Sequence, residues 1–418
     1  MSGKAILILI FSFMLTTYVY QSQLGSTSVK VLDSFNQSYM ELVVQQAAVS
    51  TMNMAINQVW DRTQEFSGIQ MVADGCTAKA YIEFNGIDTV KIKSKAWAYL
   101  FDNNGAASSN NNVKLVDSLV AIFAYNIPIS RYFWFTHNEA GVYWITGDSV
   151  WGPVHTNGVL KTSGSPVFFK KVTAGNGIYP SPWSWYSRAE FIGGWEIGIY
   201  ADIPTDMSPL QQAANQGNGG APINTKSVYN QPVAFNFLPS GEVIRQVGSN
   251  PPDTVLLSDI APTGVIYCSE DIRIKGVLKG QLTLYSGDDI WIDDDIVYAN
   301  DPNQDPNSDD LLGLVAEDKV IVTDNAPNNN NVNIQACIMA INGKFYAENY
   351  STRPVAGTLK VTGSIVQRDR GPVGTFSSWT GQITHGFSKR YRYDPRLQSV
   401  SPPYYPYIRY LHLTGWWE

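Results

Sequence analysis

The first sixty residues constrain the fold of this chain more than any other segment. An unbroken apolar run extends from Ala5 to Tyr20, directly after Lys4, and the next charge is Lys30. The run alone covers about 24 Å at 1.5 Å per residue. That is short for a span of about 20 residues, but the uncharged stretch to Val29 lengthens it. The segment predicts a membrane anchor with the rest of the chain outside the cytoplasm, and it argues against a soluble cytoplasmic enzyme.

A cleaved secretory signal is the main alternative to a retained anchor. Such a signal has a basic start, an apolar centre and a cleavage site of small residues. The first two features are present, but the residues up to Gln21 contain no Ala-x-Ala pattern. The sequence therefore favours a retained anchor.

The second half of the segment predicts a continuing helix with an apolar stripe. No proline interrupts the chain as far as Trp60. Apolar residues recur at steps of three and four, which is the spacing of one helix face. We expect this face to pack against the protein's own head and against neighbouring helices. Its members are Leu32, Phe35, Tyr39, Leu42, Ala47, Ala48, Met52, Ala55, Ile56 and Val59.

This layout resembles the N-terminus of type IV pilins, and more closely the minor-pilin and tip-subunit branch shared with type II secretion. Met1–Gly3 corresponds to a short leader that ends in Gly, Lys4 to the first mature residue, and Gln45–Ser50 to the Ala-rich part of the helix. Major pilins carry Glu where this chain has Ile8, so the resemblance implies a minor or tip component. It covers about the first 60 residues. It implies leader cleavage between Gly3 and Lys4, an inner-membrane anchor, and assembly with other pilin-like subunits at the cell surface.

Composition indicates an extracellular, mostly β protein. Only 16% of the 418 residues are charged, 12% are aromatic, and the net charge is −7. An acidic chain is a poor partner for nucleic acid, which requires a basic face. The three cysteines, Cys76, Cys268 and Cys337, are too few and too far apart for a disulfide framework. Cys268 and Cys337 lie in apolar strand patterns, so we expect them to be buried.

The sequence pattern divides the chain into four regions. Residues 1–60 form the helix, and residues 61–126 predict a small α+β pilin-like head with a polar loop at 103–112. Residues 127–262 form a β-rich middle region that contains one short helix (Ser208–Ala214), a surface loop (Gln211–Ala221) and a hairpin. Residues 263–418 predict a β-solenoid-like domain, with a sandwich or jelly roll as the alternative.

A weak repeat supports the solenoid prediction. The pattern G-[VT]-L-K occurs at Gly158–Lys161, Gly276–Lys279 and Gly357–Lys360. Short alternating runs that end at Gly, Asn or Asp are typical of solenoid coils, which bury apolar side chains and turn on polar corners. The predicted strands are Val265–Tyr267, Ile272–Ile274, Leu282–Leu284, Ile290–Ile292, Leu314–Ala316, Val320–Val322, Ile334–Ile338 and Thr358–Val361.

An acidic loop is the strongest candidate for a metal site. Oxygen-bearing side chains alternate along it, as in loops that wrap Ca²⁺, an ion that takes six to eight oxygen ligands. Pro306 and Leu312 replace the Gly and Glu of an EF-hand, so that motif is not met. A solvated Pro/Asn-rich turn is the alternative. The candidate calcium ligands are Asp301, Asn303, Asp305, Asn307, Asp309 and Asp310.

A second acidic cluster raises the possibility of a solenoid glycoside hydrolase, since glycosidic cleavage needs paired carboxyl groups. Arg273-Ile274-Lys275 precedes the cluster, whereas in pectin-cleaving enzymes the equivalent triplet follows the acidic pair, and no Gly-His-Gly element occurs. Zinc-protease, nucleophile-elbow, P-loop and dinucleotide motifs are also absent from the sequence. We therefore predict corner residues or cation ligands and no enzyme. The acidic residues are Asp288, Asp289, Asp293, Asp294 and Asp295.

The C-terminal region interleaves basic and aromatic residues. Cation–π packing onto the solenoid is the simplest interpretation, and a surface for glycans or another partner is the alternative. The basic members are Arg368, Arg370, Lys389, Arg390, Arg392 and Arg396.

Four further motifs resemble an uncharacterised bacterial surface-protein family that pairs a pilin-like N-terminus with a β-rich head. They lie at Trp151–His155, Trp291–Tyr298, Leu312–Ala316 and Tyr391–Asp394. This resemblance supports architecture and location, and it implies no catalytic or binding residues.

Overall fold

The computed structural model describes residues 3–61, 68–73, 75–85, 89–99, 114–305, 307–377 and 382–417. It separates into two compact units. We call residues 1–126 with 409–418 the stem unit, and residues 127–408 the head unit. The predicted loop at 103–112 and Pro306 lie outside the described residues. The fold is a long N-terminal helix followed by mostly β structure, which confirms that part of the predicted fold class.

The N-terminal helix α1 runs without a break over Gly3–Asp61. At 1.5 Å per residue it is about 90 Å long. The apolar run and the amphipathic continuation therefore belong to one helix, as the absence of proline predicts.

The stem unit packs this helix on an antiparallel sheet. Each strand pairs with the next in chain order. The strands are β1 (Ile69–Ala73), β2 (Cys76–Asn85), β3 (Thr89–Tyr99) and β4 (Lys114–Pro128). Helix α1 and residues 61–126 therefore belong to one unit, whereas the sequence pattern places them in separate regions.

Small residues on both surfaces allow the helix and the sheet of the stem unit to approach closely. The helix contributes Ala47, Ala48 and Ala55, and the sheet contributes a set of alanines that are also fully buried. Because so little side chain intervenes, the hydroxyl of Ser94 on β3 donates a hydrogen bond to the carbonyl oxygen of Ala48 at 2.8 Å. The sheet alanines are Ala78, Ala80, Ala96, Ala98 and Ala121.

In its described residues, the head unit contains strands β5 to β29 and two short α-helices, α2 (Ser208–Asn218) and α3 (Leu257–Ile260). The 3₁₀ helices are Ile129–Arg131, Pro327–Asn329 and Pro395–Gln398. The strands are β5 (Trp134–Asn138), β6 (Trp144–Ile145), β7 (Ser149–Val150), β8 (Val154–Thr156), β9 (Leu160–Ser163), β10 (Val167–Phe168), β11 (Val172–Ala174), β12 (Ile178–Tyr179), β13 (Glu190–Phe191), β14 (Trp195–Ile197), β15 (Val228–Tyr229), β16 (Val233–Phe237), β17 (Glu242–Val247), β18 (Asp253–Leu256), β19 (Val265–Cys268), β20 (Ile272–Leu278), β21 (Gln281–Ser286), β22 (Ile290–Tyr298), β23 (Leu311–Ala316), β24 (Val320–Val322), β25 (Val332–Ala340), β26 (Phe345–Ala347), β27 (Val355–Asp369), β28 (Gly374–Phe376) and β29 (Ile383–Tyr393).

Parallel pairing dominates the head unit. One ladder runs β15–β19–β21–β23–β25–β27–β5–β8–β11–β14, and each neighbouring pair in it is parallel. A second parallel ladder runs β16–β20–β22–β24–β26. Two shorter ones are β7–β10–β13 and β6–β9–β12. The strands predicted from residue 265 onward all fall within observed strands. A closed solenoid remains a prediction.

The chain enters the main ladder in its middle. β5 pairs with β27 on one side and with β8 on the other. The segment through β14 extends one end of the ladder, and the chain begins again at β15 at the opposite end. Pairing of β15 with β19 and of β16 with β20 joins residues on both sides of position 262. The predicted boundary between 127–262 and 263–418 is therefore wrong, because these regions share one core.

The end of the chain belongs to the stem unit. The last strand, β30 (Tyr407–Trp417), lies beside β4 in the stem sheet. Residues 409–418 must therefore be removed from the predicted C-terminal domain. The head unit is thus an insertion between β4 and β30.

One local prediction in the middle region also changes. We expected a surface loop over Gln211–Ala221, but α2 continues to Asn218. Gly219 ends the helix in the left-handed conformation at φ 55°, where glycine carries no steric penalty. Three side chains on one face of α2 are buried, namely Leu210, Ala213 and Ala214.

Candidate functional site

The candidate site is the exposed part of helix α1. Every described side chain from Lys4 to Tyr39 is exposed, and burial against the stem sheet begins at Val44. The predicted apolar stripe is therefore divided into two parts. Its members from Ala47 to Val59 pack on the sheet, whereas those from Leu32 to Leu42 are exposed in the single chain.

The exposed part is apolar enough for a membrane. In the described residues, one helix is long and apolar enough to cross a bilayer, judged by length and composition. A span needs about 20 residues, so the stretch between that span and the sheet remains uncovered. This stretch contains the charges of Lys30 and Asp33 beside exposed Leu32, Phe35 and Tyr39. Exposed apolar surface of this kind marks an interaction site.

The predicted processing site lies at the start of the same helix. The helix begins at Gly3, and Lys4 is exposed. Ile8 is exposed as well, on an apolar surface without an acidic group. Cleavage between Gly3 and Lys4 stays a prediction.

Comparison with known proteins finds a distant structural likeness. No protein-family model matches the chain, and no curated protein matches it. The crystal structure of the competence-associated pilin ComZ from Thermus thermophilus aligns with 90% of this chain and 96% of that chain, at 10% sequence identity. The TM-score is 0.34. A TM-score this low does not establish a shared fold.

The predicted calcium loop is built from side chains that support its turns. Asp301 Oδ1 accepts hydrogen bonds from the backbone and side-chain amides of Asn303, both at 2.9 Å. Asp305 Oδ1 accepts from the backbone N–H of Asn307 at 2.9 Å. Asp310 is buried, and its two oxygens accept from the backbone N–H groups of Gly280 and Asn300 at 2.6 and 2.8 Å.

These contacts support the alternative interpretation, a structured polar turn. Among the described residues, the loop carboxylates do not form a group of three whose oxygens lie within 4.8 Å of one another. Asp309 and Asn307 are exposed, and Asn303 Oδ1 accepts a hydrogen bond from Arg392 at 3.2 Å. The calcium site stays a prediction.

If the loop binds calcium, adding Ca²⁺ after EGTA treatment raises the midpoint of thermal unfolding, because a ligand that binds only the folded state stabilises it. Asp305→Asn is expected to remove this response. Asp259→Asn, an exposed change on α3, is the matched control and should keep it. A midpoint that EGTA and Ca²⁺ leave unchanged rules out the calcium site.

The second acidic cluster is engaged in structural contacts. Asp293 forms a bidentate pair with Arg273, at 2.6 and 2.8 Å. Asp295 accepts hydrogen bonds from the backbone and side-chain amides of Asn333. Asp289 accepts from the backbone N–H of Lys319 at 2.8 Å, and burial raises the pKa of its carboxyl group. These roles agree with the corner residues that the sequence predicts.

Asp271 joins this cluster through the fold. Oxygens of Asp271, Asp288 and Asp289 lie within 4.8 Å of one another. Asp271 also accepts hydrogen bonds from the Asp289 backbone and from the indole N–H of Trp291. The group therefore ties neighbouring strands together.

The buried histidine of the head unit has a structural role. His155 is fully buried, with Nδ1 2.7 Å from the Thr173 hydroxyl and Nε2 3.0 Å from Asn157 Oδ1. Burial lowers the pKa of His155. Asn157 also makes hydrogen bonds with both the N–H and the carbonyl of Ala201. The network therefore ties β8 to β11 and to the backbone of Ala201.

Sequence reasoning missed a buried ion pair in the head unit. Arg370 Nη1 lies 2.7 Å from Glu139 Oε2, and both side chains are 2% exposed. The guanidinium carbon lies 4.3 Å from the ring centroid of Trp144 and 5.2 Å from that of Trp134. No local pattern marks Glu139, because its partner is 231 residues away.

Proposed function

We propose that this protein is a membrane-anchored, outward-facing structural subunit of a type IV pilus-like or type II secretion-like system, and a minor or tip component of it. The single observation that supports this proposal most is the divided helix. One end packs on the stem sheet, and the other exposes an apolar surface longer than a bilayer requires.

In this proposal, the exposed surface has two successive environments. The inner membrane surrounds the apolar run before assembly. Neighbouring helices cover it and the Leu32–Leu42 stretch afterwards. Burial of apolar surface, at about 25 cal/mol per Å², drives the transfer. Major pilins carry Glu at this position, whereas Ile8 has no acidic side chain. This difference favours a minor or tip component over a major pilin.

The head unit would be displayed outside the membrane as a β-solenoid without catalytic activity. The support is the run of parallel ladders, whose strands point Val, Ile and Leu into one continuous core. Such a stack presents polar corners and loop tips to solvent.

Mass spectrometry of the mature N-terminus tests the proposal. We expect the protein to begin at Lys4, and Gly3→Val to leave it beginning at Met1, because leader removal in the related pilins follows Gly. Gly25→Ala, where an added Cβ meets nothing within 4 Å, is the control and should be processed normally. A wild-type protein that begins beyond Gln21 would overturn the proposal in favour of secretion.

An intact Met1 in the wild-type protein would instead support a second candidate, an anchored surface adhesin or sheath protein. One observation favours it. Trp183 and Trp185 are 84% and 94% exposed, on the segment between β12 and β13. Exposed aromatic rings could contact glycans on another surface. A solenoid enzyme acting on polysaccharides is the third candidate, and release of new reducing ends from polygalacturonate would support it.

A further inference from the structure

The head unit contains a pocket of 320 Å³. Two chain segments form most of its wall. One is Gly147–Trp151, which includes β7, and the other is Lys389–Arg392 on β29. Phe133 and Trp144 complete the lining. The volume lies at the lower end of the range for small-molecule sites, which are about 300–1,000 Å³.

The pocket lies where strand pairing is interrupted. β29 pairs with β27 and β28, and β7 pairs with β10. Among the described residues, no backbone pairing joins β7 to β29, although residues of both line the same cavity. Both segments therefore line the cavity without pairing with each other.

Lys389 occupies a strand position whose neighbours are apolar and buried. In the parallel register, Lys389 pairs with Leu359, which pairs with Val332. Leu359 and Val332 are both buried. The register thus places a cationic, partly buried side chain beside Trp144, whose ring centroid lies 5.9 Å from the ammonium nitrogen.

No carboxylate neutralises this ammonium group directly. Within the described part of the chain, Lys389 forms no ion pair within 4.0 Å. Glu139 is engaged by Arg370. Asp148 lines the pocket and accepts a hydrogen bond from the backbone N–H of Ile145 at 2.9 Å. Burial, and next the charge of Arg370, lower the pKa of Lys389 to about 8.

The charge of the pocket is opposite to that of the whole protein. Three basic residues, Lys389, Arg390 and Arg392, line it with one acidic residue, Asp148, whereas the chain carries a net charge of −7. Arg390 and Arg392 are exposed, and Arg392 Nη1 donates a hydrogen bond to Asn303, so Lys389 is the cation beside Trp144. A partly buried cation is stabilised by an anion that enters the same low-dielectric space. A small anionic ligand would supply that charge.

The aromatic side chains at the pocket indicate which chemical group the rest of the ligand carries. Trp151 is half-exposed at the pocket and stacks on Phe169, with centroids 3.8 Å apart and planes at 8°. Tyr391 stacks on Trp134 at 6.0 Å and 21°. One face of the Trp151 indole is therefore covered by Phe169. Its opposite face suits the C–H face of a sugar ring, because both surfaces are weakly polar.

We propose that this pocket binds a sugar acid, a hexuronate, whose carboxylate pairs with Lys389 and whose ring stacks on Trp151. The binding site lies entirely within the head unit. It does not depend on whether the chain enters a filament, so the outcome of the N-terminal test leaves it unaffected.

Isothermal titration of the detergent-solubilised full chain with D-glucuronate tests this site. D-Glucose has the ring without the carboxylate, and acetate has the carboxylate without the ring. We expect each to bind at least tenfold more weakly than glucuronate. Acetate that binds as tightly as glucuronate would overturn the sugar-ring assignment, and absence of glucuronate binding would overturn the site.

Two lysine variants separate a specific role from a general effect of charge. Lys389→Met is expected to weaken glucuronate binding at least tenfold. Lys344→Met is the matched control, since Lys344 is also partly buried and lies 5.1 Å from the Tyr346 ring centroid, outside the pocket. Equal affinity in wild type and Lys389→Met, with both folded by circular dichroism, would contradict the proposal.

The pH dependence provides an independent measurement. The charged groups that act on Lys389 are Arg370, Asp148 and Glu139. Arg390, Tyr391 and Arg392 line the same pocket. Burial raises the pKa of Tyr391 above this window. Lys389 is charged below a pKa of about 8 and neutral above it, so wild-type affinity should fall between pH 7 and pH 9. Lys389→Arg stays charged and should bind without this fall. A wild-type affinity that stays constant over this range would overturn the role of Lys389.

Discussion

Exchange of Glu139 for glutamine is expected to lower the free energy of unfolding of the head unit by about 3–5 kcal/mol, the usual cost of breaking a buried ion pair. Glutamine preserves the shape of the side chain but removes its charge. Arg370 then remains buried and unpaired between Trp134 and Trp144. The position of the pair increases the effect, because Glu139 follows β5 and Arg370 follows β27, where the two parts of the main ladder join.

Two further variants distinguish burial from charge alone. Glu196→Gln removes one partner of the Lys171–Glu196 pair, whose side chains are 59% and 47% exposed. Exposed pairs contribute about 0–1 kcal/mol, so this control should change little. The double variant Glu139→Met with Arg370→Met should recover part of the loss, because it leaves no unpaired charge behind.

The cysteines report which unit unfolds. Cys268 and Cys337 are buried in the head unit, and Cys76 is buried in the stem unit. Burial raises the pKa of Cys268 to about 11 and that of Cys337 to about 12, so they react with thiol reagents mainly after exposure. In moderate urea, Glu139→Gln should accelerate labelling of these two cysteines and not of Cys76. Labelling at the wild-type rate would show that the pair contributes little.

Local periodicity explains what could be predicted from the sequence. An apolar run without proline predicts helix α1, and period-two alternation predicts the strands from residue 265 onward. The G-[VT]-L-K repeat has a structural basis too. Its leucines, Leu160, Leu278 and Leu359, are all fully buried. Gly276 and Gly357 lie at register shifts with φ of 106° and 108°, a conformation that favours glycine.

Long-range pairing explains what could not be predicted. Alternation shows that a strand has a buried face, but it does not identify the neighbouring strand. Pairing of β5 with β27, the return of β30 to the stem sheet, and the Glu139–Arg370 contact all join distant parts of the chain. The candidate pocket depends on the same event, because it lies where β7 and β29 meet without pairing.

One carboxylate introduced into its core should destabilise the stem unit about as strongly as loss of the Glu139 charge destabilises the head unit. Met52→Asp is expected to lower its free energy of unfolding by more than about 4 kcal/mol, because the change removes a buried apolar side chain and places a carboxylate in the core. Met52 is 0% exposed, in the cluster between helix α1 and the sheet. Met54, two residues further on, is 45% exposed. Met54→Asp adds the same charge to the same helix and is the matched control.

The same cysteine-labelling experiment measures this effect, and here the cysteine of the stem unit is the one expected to react. In Met52→Asp, Cys76 should become reactive while Cys268 and Cys337 stay protected, since each unit has its own apolar core. Met54→Asp should leave all three cysteines protected. If Met52→Asp exposed the head cysteines as readily as Cys76, the two units would unfold together. If Cys76 stayed protected, packing of the Val44–Val59 part of α1 would not be needed for the stability of the stem sheet. The exposed part of α1 would then not be anchored by that packing.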